Sequence, residues 1–269
     1  MKKSAALFVL FLLTPLVLAL SVYAASPQAY QDYLYQFDLY RQKYNDFQIA
    51  KNTYDKFNTL ESQSQALSAT KTMLSQRNML LHTYLLYLYE RVGEHQGITP
   101  SNKQLYLSLL GNELAFLETQ NNLVPSINTL SDTVSSSEQL ESHYPVLQIT
   151  IRKIIAGISL GQLNIIAQNF DKQVQSAQSL VNQNASLLTA EKRTVINNWL
   201  IQIGSKRSLY QQKIDQTASA ITALTSSTGV RDIDKQYADI VEDIDGAKQY
   251  LADAIANLNE LSVSLQYIN

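Results

Sequence analysis

Residues 231–265 read RDIDKQYADIVEDIDGAKQYLADAIANLNELSVSL. Their apolar positions recur in alternating steps of four and three: Ile233, Tyr237, Ile240, Ile244, Ala247, Leu251, Ala254, Leu258, Leu261 and Leu265. A 3.5-residue period places all ten side chains on one face of a long α-helix and matches the seam of helices that supercoil together. A helix with one such face needs helical partners of similar length.

The chain upstream supplies them. Ser226 to Gly229 reads as a turn, and before it Thr189 is placed to cap a helix running to about Leu224, with Ile196, Leu200, Ile203, Tyr210, Ile214 and Ile221 inward. Residues 182–188 read as another turn. The helix before that starts near Pro145 and carries Leu147, Ile151, Ile154, Ile158, Ile166 and Phe170 on its apolar face. Residues 123–137 are rich in Ser, Thr and Asn and contain Pro125, so they read mostly as loop, followed by a short helix around Ser137 to His143. Thr99 followed by Pro100 marks another helix start. Short connections make sequential helices antiparallel neighbours.

No glycine or proline lies between Pro27 and Gly93. Tyr30, Tyr33, Phe37, Tyr40, Tyr44 and Phe47 form an aromatic stripe at heptad spacing, and Leu60, Leu67, Leu74, Leu81 and Leu88 follow every seventh residue. The two rows are out of phase near Phe57 to Leu60. This reads as one helix from about 28 to 91 with a kink; a capping box from Asn58 and Glu61 is the alternative, starting a new helix. The expected fold is therefore all-α: an elongated antiparallel bundle of about five helices with coiled-coil-like packing and one very long N-terminal helix. Its leucine half joins the last three helices in a four-helix bundle. The aromatic half must fold back, project, or meet another molecule.

Lys2 and Lys3 precede an apolar run from Ala5 to Val22, and Val22-Tyr23-Ala24 offers a cleavage site. That order is a secretory signal over residues 1–24, with an uncleaved membrane anchor as the alternative. Residues 25–269 then form a single elongated domain, expected to be periplasmic, cell-surface or secreted. The chain has no cysteine, which excludes disulfides, thiolate metal sites and a cysteine nucleophile. Net charge is −2, so nothing favours nucleic acid. The charge is in blocks, however: +1 over residues 28–92, −5 over 93–144, +5 over 145–228 and −5 over 231–269.

No pattern of reactive residues survives its context. Gly157-Ile158-Ser159-Leu160-Gly161 matches a hydrolase nucleophile turn but lies in a helical pattern, and His82, His95 and His143 all precede it. The same glycines form G-x-x-x-G, so Gly157 and Gly161 are expected to allow close helix packing. Asp239, Glu242, Asp243, Asp245 and Gly246 resemble a calcium loop, yet Val241 and Ala252 stand where acidic ligands belong. No histidine follows a glutamate by three residues, as di-iron bundles require. No catalytic, cofactor or metal site is expected.

Tyr40 to Phe47, with Ala50 to Tyr54 and Thr59-Leu60, resembles uncharacterised exported helical proteins of candidate-phylum bacteria over residues 30–90. The resemblance implies a helical, exported chain and no particular activity. The expected function is that of a non-enzymatic stalk, scaffold or assembly subunit that docks a protein partner or itself through the aromatic stripe. A tyrosine row suits a partly wet interface, where aromatics are enriched. The uncharged stretch from Ile154 to Phe170 keeps open a membrane-perturbing or pore-forming protein, and a ligand-holding sensor bundle is a further alternative. Membrane contact is otherwise expected only through an uncleaved N-terminal segment. N-terminal sequencing of the exported protein should begin at Ala25; a chain starting at Met1 would show the anchor instead.

Overall fold

The computed structural model describes residues 27–225 and 230–266. The signal expected over residues 1–24 and the turn expected over residues 226–229 lie outside the described residues. The α-helices are α1 (Pro27–Phe57), α2 (Leu60–Glu94), α3 (Pro100–Leu123), α4 (Leu130–Gln183), α5 (Ala190–Ala223) and α6 (Val230–Gln266). Single 3-10 turns at Val124–Ser126 and Ala185–Leu187 complete the described elements, none of which is a strand.

The all-α bundle is thus present, with six α-helices rather than about five. The long N-terminal helix is the first correction. It breaks at Asn58, whose φ of 49° lies in the left-handed region, which asparagine tolerates better than most side chains. Thr59 then caps α2: its hydroxyl accepts from the Ser62 N–H, and the Ser62 hydroxyl accepts from the Thr59 N–H. The capping box is therefore Thr59 with Ser62, not Asn58 with Glu61. The break reverses the chain, and α1 folds back antiparallel onto α2. Gln76 Nε2 donates to Gln36 Oε1 at 2.6 Å, and Tyr33 meets Tyr84 with ring centroids 5.1 Å apart.

The second correction concerns α4. It starts at Leu130, capped by Thr129 and Asp132, and runs unbroken for 54 residues through Pro145. That is about 80 Å at 1.5 Å per residue, making α4 the longest helix. Pro145 has no N–H for the Glu141 carbonyl, which ordinarily breaks a helix. Here the flanking turns are clamped from outside. Leu140 and Leu147 are buried against α2 and α3, and Arg77 of α2 donates to Ser137 at 3.2 Å. Tertiary packing overrides the local signal.

The third correction is the bundle itself. The first half of α4 packs with α2 and α3 around Leu85, Leu88, Leu110, Leu117, Ile151 and Ile154. Its second half packs with α5 and α6 around Leu163, Phe170, Ile203, Tyr210, Ile240 and Leu251. One spine helix joins two bundled sections, in place of one four-helix bundle. The seam residues of α6 turn inward as their spacing requires, with Ile233, Ala247, Ala254 and Leu261 fully buried. The charge blocks meet their opposites: Lys206 pairs with Asp253 at 2.7 Å and Lys213 with Asp243 at 2.5 Å across α5 and α6, and Arg152 of α4 pairs with Asp234.

The hairpin depends on residue 58 accepting a left-handed backbone. Asn58→Gly should leave the melting temperature almost unchanged. Asn58→Val should destabilise by about 1–2 kcal/mol, the usual penalty for a side chain in that region. Equal effects in a thermal melt would refute the assignment of the reversal to this residue.

Candidate interaction surface

The aromatic stripe is built into the α1–α2 hairpin. Tyr40 is 4 % exposed and clusters with Met73, Leu74 and Leu80, while Tyr33, Phe37, Tyr44 and Phe47 are half-buried around them. Tyr30 remains 41 % exposed at the edge, its ring 5.5 Å from that of Tyr87. The stripe as a whole is therefore a seam between two helices, and only its edges reach solvent. Those edges carry further exposed aromatics, Tyr35 on α1 and Tyr89 on α2.

Burial leaves an electrostatic mark on this seam. The Tyr33 hydroxyl is pushed up to about 12, first by burial and then by Tyr30. Burial also raises Tyr84, helped by its neighbours Tyr33, Tyr87 and Tyr237, and Tyr40, against an opposing pull from Arg77. Arg77 itself lies among these helices and is lowered by burial to about 10, with Tyr40 and Glu141 restoring part of the loss. It stays a cation at neutral pH.

The hairpin outruns the rest of the fold. Lys71 Nζ donates to the carbonyls of Pro125 at 3.0 Å and Ile127 at 2.7 Å, so the α3–α4 turn sits at the level of Lys71. Residues 60–70 of α2 and the facing end of α1 continue past that turn as a two-helix arm, about 16 Å long. Its seam uses small side chains: Ser62, Ala66 and Thr70 are the buried residues of that stretch of α2. The leucine row shows the change of surroundings. Leu74 and Leu88 are buried in the body, Leu67 and Leu81 are half-buried, and Leu60 at the apex is 86 % exposed. Phe57 beside it is 58 % exposed.

The remaining candidate sites resolve into structural contacts. Gly157 and Gly161 are both buried on α4. A methyl group at Gly157 would overlap the Tyr106 ring, one at Gly161 would strike His95 and Ile98, and one at Gly97 would run into the Gly161 carbonyl. The close approach at these glycines is thus made by a tyrosine ring and by the α2–α3 loop. Ser159 donates to its own helix at the Ile155 carbonyl, without the strained turn of a nucleophile. Asp239, Glu242, Asp243, Asp245 and Gly246 lie within α6, and no cluster of three or more metal-ligating side chains occurs among the described residues.

Among the pairs that sequence reasoning missed is Glu113 with His143, 2.7 Å apart between α3 and α4, the imidazole stacked 3.7 Å from the Phe116 ring. Thirty positions separate the two, so no local motif announces it. The only trace is a glutamate on the buried face of α3. By length and composition α4 is apolar enough to cross a membrane, and 44 % of that window is buried within the fold.

No protein-family model, curated protein or solved structure matches this chain.

The raised tyrosines give a testable pH dependence. A phenol whose ionisation is raised on folding adds stability that is fully present below its unfolded value near 10 and is lost as pH rises through the folded value. Thermal stability should stay level from about pH 7 to 9 and fall between about pH 10 and 12. Ultraviolet titration should show a late class of phenolates that appears with unfolding. Ionisation of every tyrosine in one step near pH 10, with the fold intact, would contradict the burial described.

Proposed function

We propose that this chain is a non-enzymatic structural or interaction protein acting outside the cytoplasm, as a stalk, scaffold or assembly subunit, and that the α1–α2 hairpin is its docking element. The observation that carries this reading is the placement of α1. It packs on α2 and makes no other extensive helix contact among the described residues, so the face of α1 turned away from α2 and the arm are open. Tyr30, Tyr35 and Tyr89 line the flanks of the hairpin. Exposed aromatic side chains on a rigid helix are the residues that dominate interface energy when they are covered. The basic, apolar and small-residue order of residues 2–24 supports a site of action beyond the cytoplasmic membrane. Stability in that setting rests on packing, because the chain has no cysteine to cross-link it.

Two substitutions separate docking from folding. Tyr40→Ala removes a buried ring and should cost about 3–5 kcal/mol, as large-to-small core changes do. Tyr30→Ser with Tyr35→Ser should leave the melting temperature nearly unchanged. The double variant should nonetheless lose the partner that the wild-type protein retains at fixed stoichiometry after cross-linking in its native envelope. Equal retention by both proteins would remove the hairpin flanks as the docking surface.

A further inference from the structure

Two tyrosine pairs cross the α1–α2 seam near the open end of the hairpin. Tyr30 meets Tyr87 with ring centroids 5.5 Å apart, and Tyr33 meets Tyr84 at 5.1 Å. Along the helices Tyr30 also touches Tyr33 at 6.2 Å, and Tyr84 touches Tyr87 at 6.4 Å. The four phenols therefore close a ring of contacts, each at the spacing of packed aromatic side chains. Packing alone asks for no hydroxyl, because phenylalanine would fill the same seam with no polar group to desolvate. What four adjacent phenols share is a common chemistry. A tyrosine that gives up one electron and its phenolic proton becomes a radical delocalised over the oxygen and the neighbouring ring carbons.

Composition directs oxidation to such rings. The chain has 16 tyrosines, one tryptophan and no cysteine. A thiol would intercept a tyrosyl radical, and none is present. The tryptophan, Trp199, lies on α5 and packs in the other section. Of the two crossing pairs, Tyr30 with Tyr87 is the one placed to react. Tyr30 is 41 % exposed and Tyr87 is half-buried beside it, so a phenolic proton can leave to water and the edge ring has room to turn. Tyr33 and Tyr84 are both half-buried, and burial opposes loss of either proton.

We infer that Tyr30 and Tyr87 form a modification site, at which one-electron oxidation of both rings joins α1 to α2 through a dityrosine bond. Each ring loses one electron and its phenolic proton. The two radicals combine at the carbons beside the oxygen-bearing carbons, forming one C–C bond. The hydrogens on those carbons then shift to restore both hydroxyls. The oxidant is a peroxide acting through a haem peroxidase: one hydrogen peroxide takes up the two electrons and two protons and leaves as two waters.

Such a bond would secure α1, which packs extensively on α2 alone among the described residues. The turn at Asn58 and Thr59 ties one end of the hairpin. A Tyr30–Tyr87 bond ties the other and closes a loop from residue 30 to residue 87. Covalent closure of a long loop removes conformational freedom from the unfolded chain and so favours the folded one. This goes beyond the docking reading and does not depend on it.

Treating the dilute purified protein with hydrogen peroxide and a haem peroxidase tests the site. The wild type should gain dityrosine fluorescence, lose two hydrogens in intact mass and remain a single chain on a denaturing gel. Proteolysis should then release a cross-linked peptide pair containing Tyr30 and Tyr87, and the melting temperature of the treated protein should rise. Tyr87→Phe keeps the ring and removes only the hydroxyl, so it should melt like untreated wild type. After treatment it should lack both the within-chain bond and the rise in melting temperature, whereas Tyr35→Phe should show both. Cross-links between chains only, a within-chain bond mapped to other tyrosines, or an undiminished yield from Tyr87→Phe would overturn the assignment. A Tyr30–Tyr87 bond that leaves the melting temperature where it was would overturn its role in securing the hairpin. Protein isolated from its own cells after growth with peroxide should carry the same peptide pair, and its absence there would overturn the modification as a natural one.

Discussion

The apolar face of α4 passes from one set of helices to another along its length. The change occurs where Gly157 and Gly161 let Tyr106 and the α2–α3 loop press against its backbone. Before this point the helix is covered by α2 and α3, and after it by α5 and α6. The two sets overlap ahead of it, where Gln148 and Arg152 donate to Asp234 of α6 and Lys153 donates to the Thr222 carbonyl of α5. The two sections are therefore held in line by continuity of one helix, together with the packing where they overlap around Ala156 and Leu160. Side chains on α4 near the switch are small or absent, which brings the α2–α3 loop close enough to seat Ile98 in the core. A bulkier residue there would push the first section off its spine.

Helix starts were legible wherever a side chain supplied the missing hydrogen bond. Thr99 and Thr189 both accept from backbone N–H groups three residues on, and their helices begin where the sequence places them. The seam of α6 was legible for a different reason, since a ten-position repeat leaves only one face to bury. Two features escaped because the signals that decide them are not local. Pro145 reads as a boundary on its own, yet α2 and α3 clamp the turns on either side of it. The break at Asn58 and Thr59 involves residues with acceptable helix-interior alternatives, and the reversal is stabilised by aromatic contacts between distant residues, Tyr30 with Tyr87 and Tyr33 with Tyr84. Of the surface, the aromatic residues were conspicuous in the sequence, but not which of them would face outward.

The hairpin divides into two regimes. Near the body, aromatic rings interlock and are backed by the α3–α4 turn through Val124 and Ile127. In the arm, Ser62, Ala66 and Thr70 bring the two helices close but bury little apolar surface. Ion pairs along α1, Lys43 with Asp46 at 3.3 Å and Lys51 with Asp55 at 2.9 Å, lie within one helix and are exposed, so they add little to its hold on α2. The arm is thus ordered mainly by extension from the aromatic section beneath it. Regions with few buried apolar contacts open at lower free energy than the core to which they are attached. An element of that kind can adjust to a surface it meets while its base stays fixed.

The unbroken course of α4 has a mechanical meaning. The loops of a bundle ordinarily absorb relative movement between its parts, but here the two sections share a single rod. A force on the arm would enter through α2 and reach α4 directly at the Arg77–Ser137 contact, and by way of α3 at Glu113–His143, along a helix about 80 Å long. A rod loaded in this way would pivot where the α2–α3 loop rests on Gly161.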